Sequence, residues 1–258
     1  MGRWLAAFLS NIGHEIIISD INAVALSQIS QKLKIESASA AEAVTDSDAV
    51  IVSVDIDNFE KAIQEIAPFV KPAQIIVDVT SIKQKPVETM HEYCPQARIM
   101  GIHPLFGPGA RDLVSQNLVL TPYGEEEEEF AEDIRDYLVG LGARVSVMTP
   151  SEHDSMMSVV LGLAHYITIV AADTLSVLEN QARLKEVGGS TYRVLTTLVE
   201  SVISEDPELY ATLQTHLPGL AEMEERFQQN AARWANMVKT GDKQKFKDNM
   251  IELKQRYA

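Results

Sequence analysis

The stretch "DAVIVSVDIDNFEKAIQEIAPFVKPAQIIVDV" (48–79) decides the fold. It begins and ends with continuous apolar runs, 48–54 and 74–79, which are typical of strands buried on both faces of a parallel sheet. The residues between them, 58–70, have the apolar spacing of a helix, and "KP" (71–72) ends that helix. A strand, a helix and a second strand in this order predict a parallel βαβ unit.

The same alternation extends over the first 150 residues. Further apolar runs predict three more strands, at 97–104, 117–122 and 143–150. We therefore expect residues 1–150 to form a doubly wound, Rossmann-type α/β domain with a parallel sheet. Residues 151–258 contain no strand pattern, and one long helix over 152–180 is expected to begin an all-helical C-terminal domain.

The first 20 residues, "MGRWLAAFLSNIGHEIIISD", have the pattern of half a dinucleotide-binding fingerprint. The full pattern is a strand, G-x-G-x-x-G, a helix, and a second strand ending in an acid roughly 20 residues later. Gly2 fits the third glycine, and Asp20 fits the acid that accepts hydrogen bonds from a ribose 2′-OH and so favours NAD over NADP. The alternative is that Asp20 only caps the helix starting near Ala23. The cofactor-binding candidates are Gly2, Arg3, Asp20, Val54 and Thr80.

The first strand and the first two glycines of this pattern are missing before Gly2. In a doubly wound sheet that strand lies in the middle. We expect that the sequence is truncated inside its glycine-rich loop and that it binds NAD poorly, whereas its full-length parent binds it well. The alternatives are a rebuilt sheet, or a catalytically impaired homologue that serves only in binding or dimerisation.

Composition excludes several classes of function. The formal net charge of −15 and the pI of about 4.8 disfavour binding to nucleic acid or to an anionic membrane. A single cysteine, Cys94, rules out a disulfide framework within the chain and fits a cytoplasmic protein. The long apolar stretch 155–178 contains Gly162, His165 and Asp173, and is interpreted as a buried helix rather than a membrane span. No metal site is expected.

Two stretches carry candidate chemistry, "VDVTSIKQKP" (77–86) and "GIHPLFGPGA" (101–110). Each is a predicted strand that leads into a loop, and ligands of open α/β sheets bind at the carboxyl ends of strands. Ser81 and His103 are therefore candidate catalytic residues, because an imidazole can accept the proton of a substrate hydroxyl as hydride leaves. The alternative for His103 is a structural role at the Pro104 turn.

With "PSEHDSMMSVVLGLAHY" (150–166) and "DPELYATLQ" (206–214), these stretches resemble the prephenate dehydrogenase family of tyrosine biosynthesis, and most closely its archaeal-type members. The resemblance implies NAD-dependent oxidative decarboxylation of prephenate to 4-hydroxyphenylpyruvate, without a metal. It implies that His103 is the catalytic histidine, hydrogen-bonded to the ring hydroxyl of the substrate, and that Ser81 orients it. Loss of carbon dioxide follows because the ring ketone that forms is an electron sink.

The same resemblance assigns further roles to the helical domain. His165 matches a substrate-contacting histidine and Arg193 a cation that holds the carboxylates of prephenate, with three fallback cations, Lys83, Lys85 and Arg111. The family pattern has a histidine where this chain has Gly162. His153 and His165 lie 12 residues apart and do not share a helix face, which disfavours a metal site. A homodimer through the helical domain is expected.

Three alternatives stay open. An arogenate or dual-substrate dehydrogenase differs only in recognising an alanyl rather than a pyruvyl side chain, which the sequence does not decide. Other two-domain dehydrogenases, which act on 3-hydroxyacids or imines, carry a catalytic lysine on the helical domain. No lysine lies between Pro150 and Asn180 here, which argues against this class. The impaired homologue described above is the third.

Overall fold

The computed structural model describes residues 1–257. The chain forms thirteen α-helices in this described part. They are α1 Gly2–Asn11, α2 Ala23–Leu33, α3 Ala40–Thr45, α4 Ile56–Ile66, α5 Gln84–Tyr93, α6 Glu125–Gly140, α7 Pro150–Met157, α8 Ala164–Ser176, α9 Gln181–Val187, α10 Ser190–Ile203, α11 Pro207–His216, α12 Leu220–Thr240 and α13 Lys243–Arg256. The strands are β1 Ile17–Ile18, β2 Glu36–Ser37, β3 Ala49–Val52, β4 Ile75–Asp78, β5 Arg98–Pro104, β6 Asn117–Thr121 and β7 Arg144–Val147.

Strands β3 to β7 form one sheet in that order. All neighbouring pairs are parallel except β5 and β6, which are antiparallel with His103 opposite Val119. The expectation of a fully parallel sheet is therefore wrong at this pair. The physical reason is the connection: a loop, residues 105–116, joins β5 to β6 without a crossover helix, so the chain turns back along its neighbour.

The first two strands form a separate, parallel two-stranded sheet. β1 pairs with β2, and β3 pairs with β4, but β1 and β3 are not hydrogen-bonded to each other. The expected single sheet is thus divided into two in the described residues. The two-residue β2 was not expected, and neither was α3, which begins with a capping box between Ser39 and Glu42.

Helices cover both faces of the five-stranded sheet, which confirms the doubly wound architecture. On one face, a cluster that includes Phe59, Ile63 and Met90 packs α4 and α5 on β3, β4 and β5. On the other face, Phe130 and Ala131 of α6 pack on Met100 and Leu120. The continuous apolar runs of the strands are explained by this burial on both sides.

The described chain divides into two compact units. The first contains residues Met1–Met157 and Pro207–Leu217, and the second contains Ser158–Asp206 and the residues from Pro218 onward. Helix α11 therefore belongs to the first unit, where Thr212 Oγ1 donates to Asp57 Oδ2 at 3.0 Å. No strand occurs in the described residues after Val147, so the C-terminal part is helical as expected.

The segment Pro150–Ser176 is long and apolar enough to cross a membrane by length and composition alone, a test that core helices of soluble proteins also pass. It is not one regular helix, because Ser158–Leu163 form a π-helical segment between α7 and α8. Only 22% of its most apolar window is buried. The expectation of a buried helix is therefore wrong for the single chain, and side chains such as Val160 and Val170 are exposed.

Candidate functional site

The carboxyl ends of β3, β4 and β5 lie at one edge of the sheet, because these three strands are parallel neighbours. Val54 follows β3, Thr80 and Ser81 follow β4, and His103 is the penultimate residue of β5. The structure thus brings four of the predicted site residues to the same edge of the first unit. In open α/β sheets this edge is where ligands bind.

The N-terminus of α1 approaches the same edge. A Cβ at Gly2 would lie 3.3 Å from Ser53 Oγ, directly before Val54, so a glycine permits the close approach of helix and strand. Arg3 is exposed in the first turn of α1. The free N–H groups of a helix N-terminus favour anions such as phosphate. The role of Gly2 and Arg3 toward a cofactor stays a prediction.

α1 also contacts the loop that follows His103. Trp4 Nε1 donates a 2.6 Å hydrogen bond to the carbonyl oxygen of Ala110, and its ring packs edge-on against Phe106 at a centroid distance of 5.0 Å. The helix that carries Gly2 and the loop "PLFGPGA" (104–110) are therefore fixed to each other by one side chain.

Asp20 is exposed after β1. Its Oδ1 accepts a 2.8 Å hydrogen bond from the backbone N–H of Asn22. The N-cap of α2 is Asn22, whose side chain accepts from Ala25 N at 3.0 Å. Asp20 is therefore not the helix cap, and within residues 1–257 its second carboxylate oxygen has no hydrogen-bond partner.

The loop after β4 is held by its own polar groups. Thr80 is buried, its backbone N–H donates to Asp78 Oδ1 at 2.7 Å, and its hydroxyl donates to the carbonyl oxygen of Ile82 at 2.8 Å. Ser81 lies half-buried between them. These bonds fix the backbone on which Ser81 is presented.

Lys83 is fully buried and forms an ion pair with Asp78. Its ammonium also donates to the carbonyl oxygen of Ile102 at 3.0 Å, next to His103. Burial lowers the pKa of Lys83, and the charge of Asp78 opposes this effect. The expectation of Lys83 as a fallback cation for the substrate is wrong, because the side chain is paired within the core. Lys85 and Arg111 are exposed.

His103 is 4% exposed, and its Nδ1 lies 2.8 Å from Nε2 of His153. Burial lowers the pKa of His103 well below the ordinary imidazole value, and the neighbouring charge of Lys83 lowers it further. The imidazole is therefore neutral at pH 7, the form in which one of its ring nitrogens carries a lone pair.

His153 in turn contacts Asp154. Neither residue is among the site candidates chosen from the sequence. His153 Nδ1 lies 2.7 Å from Asp154 Oδ1. The two oxygens of Asp154 accept hydrogen bonds from the backbone N–H groups of Lys83 at 2.7 Å and Gln84 at 2.9 Å. The signal available in the sequence is "HD" (153–154), which lies within the stretch 150–166 that carries the family resemblance.

Two family models match the chain over most of its length. Residues 5–147 match the family model described as "Prephenate dehydrogenase, nucleotide-binding domain", and residues 149–252 match "Prephenate dehydrogenase, dimerization domain". The chain belongs to the prephenate dehydrogenase family. The resemblance seen in the sequence motifs is confirmed.

Two relatives within the prephenate dehydrogenase family illustrate the range of similarity. The chain is 29% identical over 262 residues to the "Probable arogenate/prephenate dehydrogenase" of Methanocaldococcus jannaschii, covering 100% of this chain and 59% of that protein. It is 28% identical over 208 residues to the "T-protein" of Enterobacter agglomerans, covering 79% of this chain and 54% of that protein. The chain thus spans little more than half the length of these curated relatives.

A solved structure of the family supports the fold. Prephenate dehydrogenase from A. aeolicus, in complex with hydroxyphenyl propionate and NAD+, aligns with a TM-score of 0.79 at 19% identity, over 100% of this chain and 93% of that chain. Similarity at this level of identity establishes the shared fold alone.

The remaining candidate site residues, His165 and Arg193, lie in the second unit. His165 is half-buried on α8, and burial lowers its pKa. Arg193 is exposed in the first turn of α10, where its backbone N–H donates to the carbonyl oxygen of Gly189 at 3.1 Å. Their roles toward a substrate stay predictions.

Proposed function

We propose that the chain catalyses the NAD-dependent oxidative decarboxylation of prephenate to 4-hydroxyphenylpyruvate. The observation that carries this proposal is His103, a buried and neutral imidazole in β5, beside the carboxyl ends of β3 and β4 and hydrogen-bonded to His153. Membership of the prephenate dehydrogenase family supports the choice of substrate.

In the proposed reaction, His103 accepts the proton of the ring hydroxyl of prephenate. The hydroxyl carbon becomes a ketone as its hydrogen leaves as hydride, and the C–C bond to the ring carboxylate then breaks with its electrons delocalised into the ring. NAD, when bound, supplies the hydride acceptor. A neutral imidazole is suited to the first step because it binds a proton without needing to lose one first. Ser81, in the loop beside β5, is the residue proposed to orient His103 and the hydroxyl.

The residues proposed to hold NAD are Gly2, Arg3, Asp20, Val54 and Thr80. They fit the group in two respects. A Cβ at Gly2 would lie only 3.3 Å from Ser53 Oγ, so glycine gives α1 its close approach to the residues after β3, and Asp20 keeps an exposed carboxylate that is not used as a helix cap. An acid in this position accepts hydrogen bonds from a ribose and repels a 2′-phosphate, so NAD is preferred to NADP.

The two parts of the chain are proposed to have different roles. We propose that residues 1–150 bind NAD and that residues 151–258 supply substrate binding, through His165 and Arg193, and a homodimer interface. The description of the second family model as a dimerization domain supports the last point. So do exposed apolar side chains on α8 and α10, including Val170 and Val194. A cytoplasmic location fits a biosynthetic enzyme with one cysteine, which is buried.

A second candidate is oxidation of arogenate, which carries an alanyl in place of a pyruvyl side chain. It is favoured by the name of the M. jannaschii relative and by a structural neighbour, the arogenate dehydrogenase of Synechocystis, with a TM-score of 0.74 at 17% identity over 100% of this chain and 96% of that chain. The two substrates share the ring hydroxyl at which His103 is proposed to act.

The experiment that tests the proposal is a matrix of two substrates and two cofactors. Prephenate and arogenate are each incubated with NAD or NADP, and the aromatic product is identified by chromatography. We expect 4-hydroxyphenylpyruvate from prephenate with NAD. Asp20→Ala is expected to relax the preference for NAD, and Arg193→Ala to raise the KM for prephenate chiefly. No product in any of the four combinations would contradict the proposal.

A further inference from the structure

His103, His153 and Asp154 form a series of three buried side chains joined by hydrogen bonds. His103 Nδ1 lies 2.8 Å from His153 Nε2, and His153 Nδ1 lies 2.7 Å from Asp154 Oδ1. The three residues are 4%, 0% and 5% exposed. All belong to the first unit, so their geometry is set within one body.

The direction of these hydrogen bonds follows from Asp154. Its two oxygens accept from the backbone N–H groups of Lys83 and Gln84, at the start of α5, and a backbone N–H can only donate. A carboxylate placed at a helix N-terminus and facing donors on both oxygens is an acceptor. His153 must therefore direct a hydrogen on Nδ1 toward Oδ1.

We propose that Asp154, acting through His153, holds His103 in the tautomer that carries its hydrogen on Nδ1 and leaves Nε2 free to accept a proton. A neutral imidazole has one N–H. With that hydrogen on Nδ1, His153 presents a lone pair on Nε2, so the bond between the two rings is donated by His103. His153 and Asp154 are positioning residues, because they act on His103 and not on the substrate.

The catalytic meaning of this arrangement rests on the proposed function. When the O–H bond of the substrate breaks and the proton forms an N–H bond at Nε2, His103 becomes a cation. Its Nδ1–H then donates more strongly to His153, and the negative charge of Asp154 stabilises the series from the far end. The same logic operates where an acid fixes the tautomer of one histidine, with a second imidazole inserted here between acid and base.

The decisive measurement is the tautomer itself, by NMR of the full chain with 15N-labelled histidine. The sequence has six histidines, so the ring signals can be assigned by comparison with His103→Gln and His153→Gln. We expect wild-type His103 to show a protonated Nδ1 and an unprotonated Nε2. The opposite result, with His103 protonated on Nε2 and His153 protonated on both nitrogens, would overturn the proposal.

Two substitutions at His153 separate the tautomer from general packing. In His153→Gln the amide oxygen can take the place of Nε2 as acceptor, so His103 should keep its hydrogen on Nδ1. In His153→Leu no acceptor remains, so the hydrogen should move toward Nε2 and kcat should fall by roughly 100-fold relative to the Gln variant. Unchanged His103 signals in the Leu variant would contradict the role of His153.

A matched control lies on the same helix. Glu152→Gln removes a carboxylate from an exposed position of α7, one residue before His153, and should leave the His103 signals and kcat unchanged. If His153→Leu does not fold, the wild-type and Gln spectra decide the question. A wild-type protein that shows the expected tautomer but does not oxidise prephenate would contradict the proposed function and not the tautomer.

Discussion

The ammonium group of Lys83 and the carboxylate of Asp78 form an ion pair in which both side chains are fully buried. The pair joins the end of β4 to the start of α5, and the same ammonium donates to the carbonyl oxygen of Ile102 beside His103. Since Asp78 also accepts from the backbone N–H of Thr80, one carboxylate fixes both the loop that carries Ser81 and the cation next to the proposed base.

Removing one member of this pair should be costly. Asp78→Asn keeps the shape of the side chain but leaves the ammonium of Lys83 buried without a counter-charge. We therefore expect the free energy of unfolding, measured in urea, to fall by about 3–5 kcal/mol. Adding Lys83→Met should recover part of that loss. The exposed pair of Lys85 and Glu60, 3.8 Å apart, is the control, because Glu60→Gln should cost less than about 1 kcal/mol. Equal losses for the two single variants would argue against this account.

Gly101 makes room for the same arrangement. A Cβ at this position would overlap Thr121 Oγ1 and lie 2.8 Å from Val87 Cγ2 and 3.1 Å from Lys83 Cδ. We therefore expect Gly101→Ala to destabilise the protein by about 1–3 kcal/mol in urea unfolding. Gly107→Ala is the matched control, since a Cβ there would meet no atom within 4 Å. A Gly101→Ala variant as stable as the control would show that the strand can shift to accept the methyl group.

The stability of the fold should depend on pH through His103. Burial and the charge of Lys83 hold the pKa of His103 well below the ordinary imidazole value. Between that lowered pKa and about 6.5, the unfolded chain binds more protons than the native one, so this contribution to stability is present above about pH 6.5 and is lost as the pH falls toward the native pKa.

The measurement compares the free energy of unfolding of the wild type and His103→Gln at about pH 7.5 and about pH 5.5. The wild type should lose more stability on acidification than the variant. Identical pH dependence of the two proteins would mean that His103 is not the neutral buried group described above.

The proposed homodimer should depend on the exposed apolar face of α10. Val194 is 71% exposed and Leu198, one helical turn later, is 47% exposed. We expect Val194→Asp to shift the mass measured by light scattering from dimer toward monomer, because a charge at an apolar interface is left without a partner. Val24→Asp is the control, since Val24 on α2 is 67% exposed in the first unit. A dimer that survives Val194→Asp but dissociates with Val24→Asp would place the interface elsewhere.

Much of the first unit is predictable from the sequence. The apolar runs at 48–54, 74–79 and 97–104 form β3, β4 and β5, because burial on both faces leaves a continuous hydrophobic pattern. The predicted direction of β6 was wrong, because an apolar run has the same pattern in a parallel and in an antiparallel strand. The direction follows from the connection before β6, which is a loop without a crossover helix. The capping box between Ser39 and Glu42 is a local sequence signal for the start of α3.

The candidate site was predictable only in part. His103 and Ser81 could be selected because strand ends form ligand sites in open sheets. The hydrogen bond between His103 and His153 spans 50 residues and depends on how α7 packs against α5 and β6. The burial of Lys83 could not be predicted from the sequence either, because a lysine in a loop is usually exposed. The π-helical segment at Ser158–Leu163 has no local sequence signal that distinguishes it from a regular helix.

The central claim is that His103 is the base in NAD-dependent oxidation of prephenate, and one measurement tests it most directly. The formation of NADH with prephenate is followed by absorbance for the wild type and for His103→Asn, and NAD affinity is measured separately by titration. We expect kcat to fall by at least about 100-fold in the variant while the Kd for NAD stays nearly unchanged. Prephenate oxidation by His103→Asn at the wild-type rate would contradict it.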